Sequence, residues 1–185
     1  MNKKTRELVL AAILTALSIL ITYSPLKLVT PFFTLTLGSH VPTLLSMFLS
    51  PWVIVMTVIG SCIGFFLTIP APNSIIVVAR AAMHLIFALA GWKMIKEGRI
   101  NIFLIILITG LLHALSEGIV VYILTPIILK GEAAAITAAT VAFVGTAIHH
   151  LIDCAITAPI AAALSKAKII HIPRSFRRYR QCTKM

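Results

Sequence analysis

Acidic residues are almost absent from this sequence: 5 Asp and Glu stand in 185 residues, against 16 Lys and Arg. Charged residues of both signs make up only 11%, where a soluble domain carries roughly 25%. Too few remain to coat a water-facing surface. The 3 cysteines, Cys62, Cys154 and Cys182, show no paired spacing; Cys62 and Cys154 lie in apolar runs and read as small core residues. No Gly-rich phosphate loop ending in Gly-Lys-Ser/Thr occurs, which excludes ATP binding by that device. Neither His-Glu-x-x-His nor Gly-x-Ser-x-Gly with a triad is present, so protease and esterase chemistry has no support. The apolar N-terminus is not followed by a small-residue cleavage site, and it reads as a retained first span.

Apolar residues are what the sequence has in abundance, at 59%, with a mean hydropathy of +1.04. Six spans of about 20 residues each would consume most of one domain and leave no room for a separate soluble catalytic one. The spans fall at residues 7–23, 40–49, 53–69, 74–92, 100–124 and 133–164. The second is short, and with residues 32–37 before it part of this region reads as re-entrant. A four-span reading, with spans two and three as one re-entrant hairpin, stays open. The last stretch exceeds what a membrane requires.

Basic residues cluster at the N-terminus, around residues 93–99 and after residue 165. With the N-terminus inside, these segments hold 13 of the 16, the external loops hold Lys27 and Lys130, and Arg80 falls within a span. That asymmetry predicts cytoplasmic termini. It also argues against a nucleic-acid-binding face, because the cations do not recur at helical spacing.

Ionisable residues inside hydrocarbon are costly and persist where they face a protein interior or a cavity. Here they come as i, i+4 pairs: Arg80 with His84, His113 with Glu117, and His149 with Asp153, with His150 adjoining the third. Each pair occupies one helix face. Three helices with one polar face each imply a shared polar cavity. At 1.5 Å per residue, Arg80 and Glu117 fall at a similar depth in the outer half and can pair. Arg80 brings a permanently charged planar fork suited to a carboxylate or phosphate. A metal site is set aside, since only His149 and His150 are close in sequence and neighbouring helical residues point about 100° apart. Interhelical hydrogen bonding is the plainer role for His113, His150 and Asp153.

In the first span, Ala12-x-x-x-Ala16 is a small-residue face that lets another helix approach closely. Together with the length, six spans, cytoplasmic termini and a polar second half, this resembles the substrate-binding S components of energy-coupling-factor vitamin transporters. The segment 33–42, Phe-Thr-Leu-Thr-Leu-Gly-Ser-His-Val-Pro, and Arg80-Ala-Ala-Met-His84 look most like the niacin-specific branch. The resemblance implies an all-α membrane bundle of about six helices over residues 1–165, a basic cytoplasmic tail over 166–185, and a location in the cell membrane. It implies no cofactor in this chain, with ATP used by two partner ATPase subunits, and docking of Ala12 and Ala16 on a coupling transmembrane subunit. It further implies an externally loaded vitamin site built from Arg80, His84, Glu117, His40, His113 and His149, with residues 31–40 as lid and Phe32 or Phe33 as packing. Two other classes fit the same polar residues. One is a stand-alone channel or transporter for protons or metal; the other is a membrane enzyme using His113, Glu117, His149, His150 and Asp153.

Overall fold

A computed structural model describes residues 2–29, 34–129 and 133–173. Six α-helices and one short hairpin follow in the order α1 (Lys3–Ile21), β1 (Lys27–Val29), β2 (Thr34–Thr36), α2 (Val41–Ser46), α3 (Pro51–Thr68), α4 (Asn73–Glu97), α5 (Ile102–Leu129) and α6 (Ala133–Lys166). Their ends have local causes. The side chain of Asn2 caps α1 by accepting from the Thr5 amide at 2.8 Å, and Asn101 does the same for Leu104 at the start of α5. Gly98, at φ +67°, ends α4 in the left-handed conformation that glycine adopts freely. Within the helices, the hydroxyls of Ser18, Thr57, Thr109 and Thr157 donate to the carbonyl four residues earlier, which satisfies them without water.

Four helices, α3 to α6, are long and apolar enough to cross a membrane. Helix α1 has the length, but Lys3, Lys4, Arg6 and Glu7 occupy its first turns. The second expected span is corrected: α2 has 6 residues, about 9 Å of helix, and does not span alone. The direction of the chain shows how the crossing is made. A Cβ on Gly60 would meet Thr15 and one on Gly64 would meet Thr22, so α1 and α3 run parallel. The intervening chain therefore returns through the bundle, as a hairpin and loop followed by the buried α2. Thr36, Ser39 and His40, which lead into α2, are buried, and non-helical backbone at that depth is tolerated where protein encloses it. In the hairpin, Lys27 pairs with Thr36, Leu28 with Leu35 and Val29 with Thr34, antiparallel.

The long helices pack α1 on α3, α3 on α4, α4 on α5 and α5 on α6. Lipid tails are as apolar as leucine, so close contact, not escape from water, holds such helices together. The α1–α3 contact shows this best. An added Cβ at Gly60 would lie 2.7 Å from the Thr15 carbonyl oxygen, and at Gly64 3.0 Å from the Ile19 Cα. Backbone cannot swing aside as a side chain can. Gly60→Ala is therefore expected to destabilise the protein by about 1–3 kcal/mol, read as a lowered unfolding temperature in detergent. An unchanged temperature would mean that α1 is not seated this closely.

After α6 the chain turns back. Lys168 takes a left-handed conformation at φ 59°, and the Ile169 amide donates to the Leu164 carbonyl at 2.9 Å, a Schellman-type ending. Ile170 is buried with Ala11, Leu14, Val41 and Ala161, and the Arg6 guanidinium donates to the Ile169 carbonyl. The packed body thus continues past residue 165, where the tail was expected to begin. Residues 174–185, with the rest of that tail and Cys182, lie outside the described residues, as do Phe32 and Phe33.

Candidate functional site

The polar residues of α4, α5 and α6 lie on the faces turned inward, while Leu107, Leu111, Leu115 and Ile119 of α5 face outward. On α4 the buried series Val77, Arg80, Ala81, His84, Phe87 and Ala88 follows helical spacing. On α5 the buried series includes Thr109, His113, Glu117 and Val121. Such inverted amphipathicity is what a protein in lipid requires of a polar core.

Arg80 and Glu117 are buried, with 7% and 3% of their surface exposed, and they pair across α4 and α5. The Arg80 Nε and Nη2 donate to Glu117 Oε2 at 2.9 and 2.7 Å. The third guanidinium nitrogen, Nη1, donates to Thr34 Oγ1 on β2 at 3.3 Å. Thr146 of α6 donates to the same Oε2 at 2.6 Å. The other carboxylate oxygen, Oε1, faces imidazoles: His84 Nε2 at 3.1 Å and His113 Nε2 at 3.2 Å. Glu117 thereby links three helices, and the expected pairing with Arg80 is present.

His40 enters from a fourth direction, at the start of α2. Its Nε2 lies 3.2 Å from His84 Nε2. Its Nδ1 is 2.9 Å from Asp153 Oδ2 on α6. The rings of His84, His113 and His149 each sit edge-on to His40 with centroids 4.5 Å away. Asp153 also accepts from the backbone amides of Gly38 at 2.9 Å and His40 at 3.1 Å. A buried carboxylate in α6 thus fixes the loop between hairpin and α2. Gly38 makes that loop feasible, since its φ of +79° strains other residues. His149 Nε2 is 3.1 Å from Asp153 Oδ2, an ion-pair distance, yet its angle is too poor for a hydrogen bond.

All six residues expected at the ligand site, Arg80, His84, Glu117, His40, His113 and His149, come together. Four facts were missed. Asp153 anchors the loop, Thr146 and Thr34 complete the shell of the Arg80–Glu117 pair, and Gly60-x-x-x-Gly64 seats α1. The last was visible as a small-residue spacing like Ala12-x-x-x-Ala16; the threonines carry no signal of their own in an apolar sequence. The ground for setting metal aside also fails, because sequence distance between the histidines did not prevent their convergence. Among the expected docking residues, Ala12 and Ala16 both lie on the exposed side of α1.

A cavity of about 20 Å³ opens among Thr34, Thr36, Ser39, His40, Arg80 and Glu117. On one side it is bounded by Phe65, Val77 and Ala81. Toward the end of the bundle that carries Lys96, the polar layer is closed by an apolar cluster of Leu44, Met47, Ile54, Val58, Phe87, Ala88, Ile95 and Ile105. The site is a chamber with a floor.

No family model matches this chain, and no solved structure matches it significantly. Among curated proteins, it is similar to the niacin transporter NiaX of Lactococcus lactis subsp. cremoris (strain MG1363), with 32% identity over 178 residues. The match covers 91% of this chain and 79% of that protein. With the helical membrane bundle and its buried polar chamber, this likeness places the chain in the family of S components of energy-coupling-factor vitamin transporters, in the branch that contains the lactococcal niacin transporter.

Proposed function

We propose that this multi-pass membrane protein captures niacin, as nicotinate or nicotinamide, from outside the cell and delivers it inward when driven by partner subunits. The observation that carries the reading is the Arg80–Glu117 pair beneath the β2 hairpin. Arg80 spends two nitrogens on Glu117 and keeps Nη1 directed at Thr34. A ligand carboxylate replacing Thr34 there would gain a charge-assisted hydrogen bond in a low-dielectric chamber. A pyridine ring suits the neighbouring Phe65 and the edges of His40 and His84. The apolar floor supports capture and closure rather than a through-going pore.

Ligand entry requires movement. A 20 Å³ cavity is far below the roughly 300–1,000 Å³ of a ligand pocket. Thr34 to Thr36 meet the helices through the Arg80–Thr34 bond and the packing of Leu35 on the cluster of Ile76, Val121, Ala138 and Ala142, whereas Gly38 and His40 are pinned by charge-assisted bonds to Asp153. Opening of the hairpin over a fixed base is the motion proposed. The clustering of basic residues supports cytoplasmic termini in the cell membrane, so that the hairpin faces outward. Uptake would need a coupling membrane subunit and two ATPase subunits, consistent with a sequence that has no Gly-rich phosphate loop of its own.

Purified protein should bind nicotinate saturably without ATP. Arg80→Ala and Arg80→Lys should each weaken that binding by about 10–150-fold, the equivalent of one charge-assisted hydrogen bond of about 1.5–3 kcal/mol. Lysine fails because it lacks the planar fork. If mass spectrometry of the purified protein finds retained flavin or thiamine and no pyridine carboxylate, the niacin reading is lost.

A further inference from the structure

We propose that His40, His84 and His113, together with Glu117, hold one divalent transition ion of the zinc class at the centre of the bundle. Four buried donors from three separate elements converge there, and their donor atoms lie within 4.8 Å of one another. The nearest separations are 3.2 Å for His40 Nε2 to His84 Nε2, 3.1 Å for His84 Nε2 to Glu117 Oε1, and 3.2 Å for His113 Nε2 to Glu117 Oε1. A tetrahedral zinc ion with bonds of about 2.0–2.1 Å has ligand atoms about 3.3 Å apart. Three edges of the tetrahedron are therefore already near their bound length. Imidazole and carboxylate are a donor set for zinc, and four protein ligands with no open position describe a resident ion rather than a transported one.

Proton accounting gives a second, independent reason. His40 Nδ1 donates to Asp153, which leaves a lone pair on Nε2. His84 Nε2 then has one hydrogen to share between His40 Nε2 and Glu117 Oε1. If His113 Nε2 carries its proton toward Glu117, then His113 Nδ1 must accept from His150 Nδ1, and His150 Nε2 must accept from Thr109 Oγ1. That hydroxyl already donates to the Ile105 carbonyl at 2.7 Å. The chain of donors is one proton short. With an ion on the three Nε2 atoms, each ring proton moves to Nδ1 and the conflict disappears. His113 Nδ1 donates to His150 Nδ1, His150 Nε2 donates to Thr109 Oγ1, and Thr109 donates to Ile105. His40 keeps its bond to Asp153, the carboxylate–histidine–metal arrangement that orients a ligating ring. Glu117 presents Oε1 to the ion while Arg80 and Thr146 hold Oε2. Only His84 Nδ1 lacks an outer partner among the described residues.

Such an ion would tie the loop that bears His40 to α4 and α5, giving the hairpin a rigid base. It does not depend on which vitamin is bound. The test uses untagged, full-length protein in detergent, stripped with a chelator and titrated with Zn²⁺ alone. One ion per chain is expected, and Co²⁺ in its place should show the strong visible bands of a tetrahedral site. Asp153→Asn should weaken Zn²⁺ binding by about 10–100-fold through its hold on His40, while His113→Ala and Glu117→Gln should weaken it further and His171→Ala, at an exposed histidine beyond the end of α6, should leave it unchanged. Substoichiometric binding or an octahedral Co²⁺ spectrum in the unaltered protein overturns the proposal without recourse to any variant. So does tight binding that survives both His113→Ala and Glu117→Gln, or that is lost only in His149→Ala, which would move the ion to the His40–His149–Asp153 group. Nicotinate titrations of the stripped protein are scored separately, so failure of the vitamin reading leaves the metal result intact.

Discussion

Replacing Glu117 with leucine is expected to cost about 3–5 kcal/mol of stability, because it leaves the Arg80 guanidinium charged, buried and without its counter-ion. The loss is larger than that of a single contact. Oε2 accepts two bonds from Arg80 and one from Thr146, while Oε1 faces two histidines. All of these donors would face an apolar side chain. Removing both charges together, as Arg80→Met with Glu117→Leu, should recover the part of the loss that comes from the unpaired guanidinium, since an apolar pair of similar volume avoids the desolvation cost of both ions. The contacts of Thr146, His84 and His113 with Glu117 stay lost. The double variant should remain folded yet fail to bind nicotinate. Thermal unfolding of the two single variants and the double gives the coupling energy directly. Full stability in Glu117→Leu alone would mean that Arg80 is not held by this carboxylate. Nicotinate binding in the double variant at its original strength would make the ion pair pure scaffold.

The second large effect is on transport rather than stability. Ala12→Trp combined with Ala16→Trp should abolish uptake in cells that contain the coupling and ATPase subunits, while leaving nicotinate binding by the isolated protein unchanged. The two alanines are exposed on α1, whereas Ala11, Leu14 and Ser18 face the bundle. Indole rings at 12 and 16 therefore point away from the packed face of α1 among the described residues. They would obstruct only a helix that packs closely from outside, which small residues permit. Lost binding with retained fold would show that α1 shapes the ligand chamber instead. Normal uptake would remove this face from coupling altogether.

Sequence and structure agree most where the argument rested on solvent. Long apolar runs, charges confined to their ends and i, i+4 polar pairs predict four of the long helices within a few residues, because hydrocarbon admits few alternatives to a helix. Arg80 and Glu117 were paired on depth alone, and depth follows from a fixed rise per residue. The second crossing was legible only as a short, broken segment. Its form, a hairpin, a Gly38 turn and a six-residue helix, depends on Asp153, 113 residues beyond His40. No local pattern encodes such a contact.

By itself the sequence determined that this chain lies in a membrane, which faces of its later helices are polar, and that α1 carries small residues four apart at Ala12 and Ala16. These are one-dimensional properties, set by hydropathy and helical period. Only the tertiary structure decided that the imidazoles of His40, His84, His113 and His149 join the carboxylates of Glu117 and Asp153 in one buried network. It also decided that α1 and α3 run parallel at glycine-close distance and that a non-helical loop reaches the middle of the bundle. Each is a relation between elements far apart in the chain, fixed by close packing and by the need of every buried polar group for a partner.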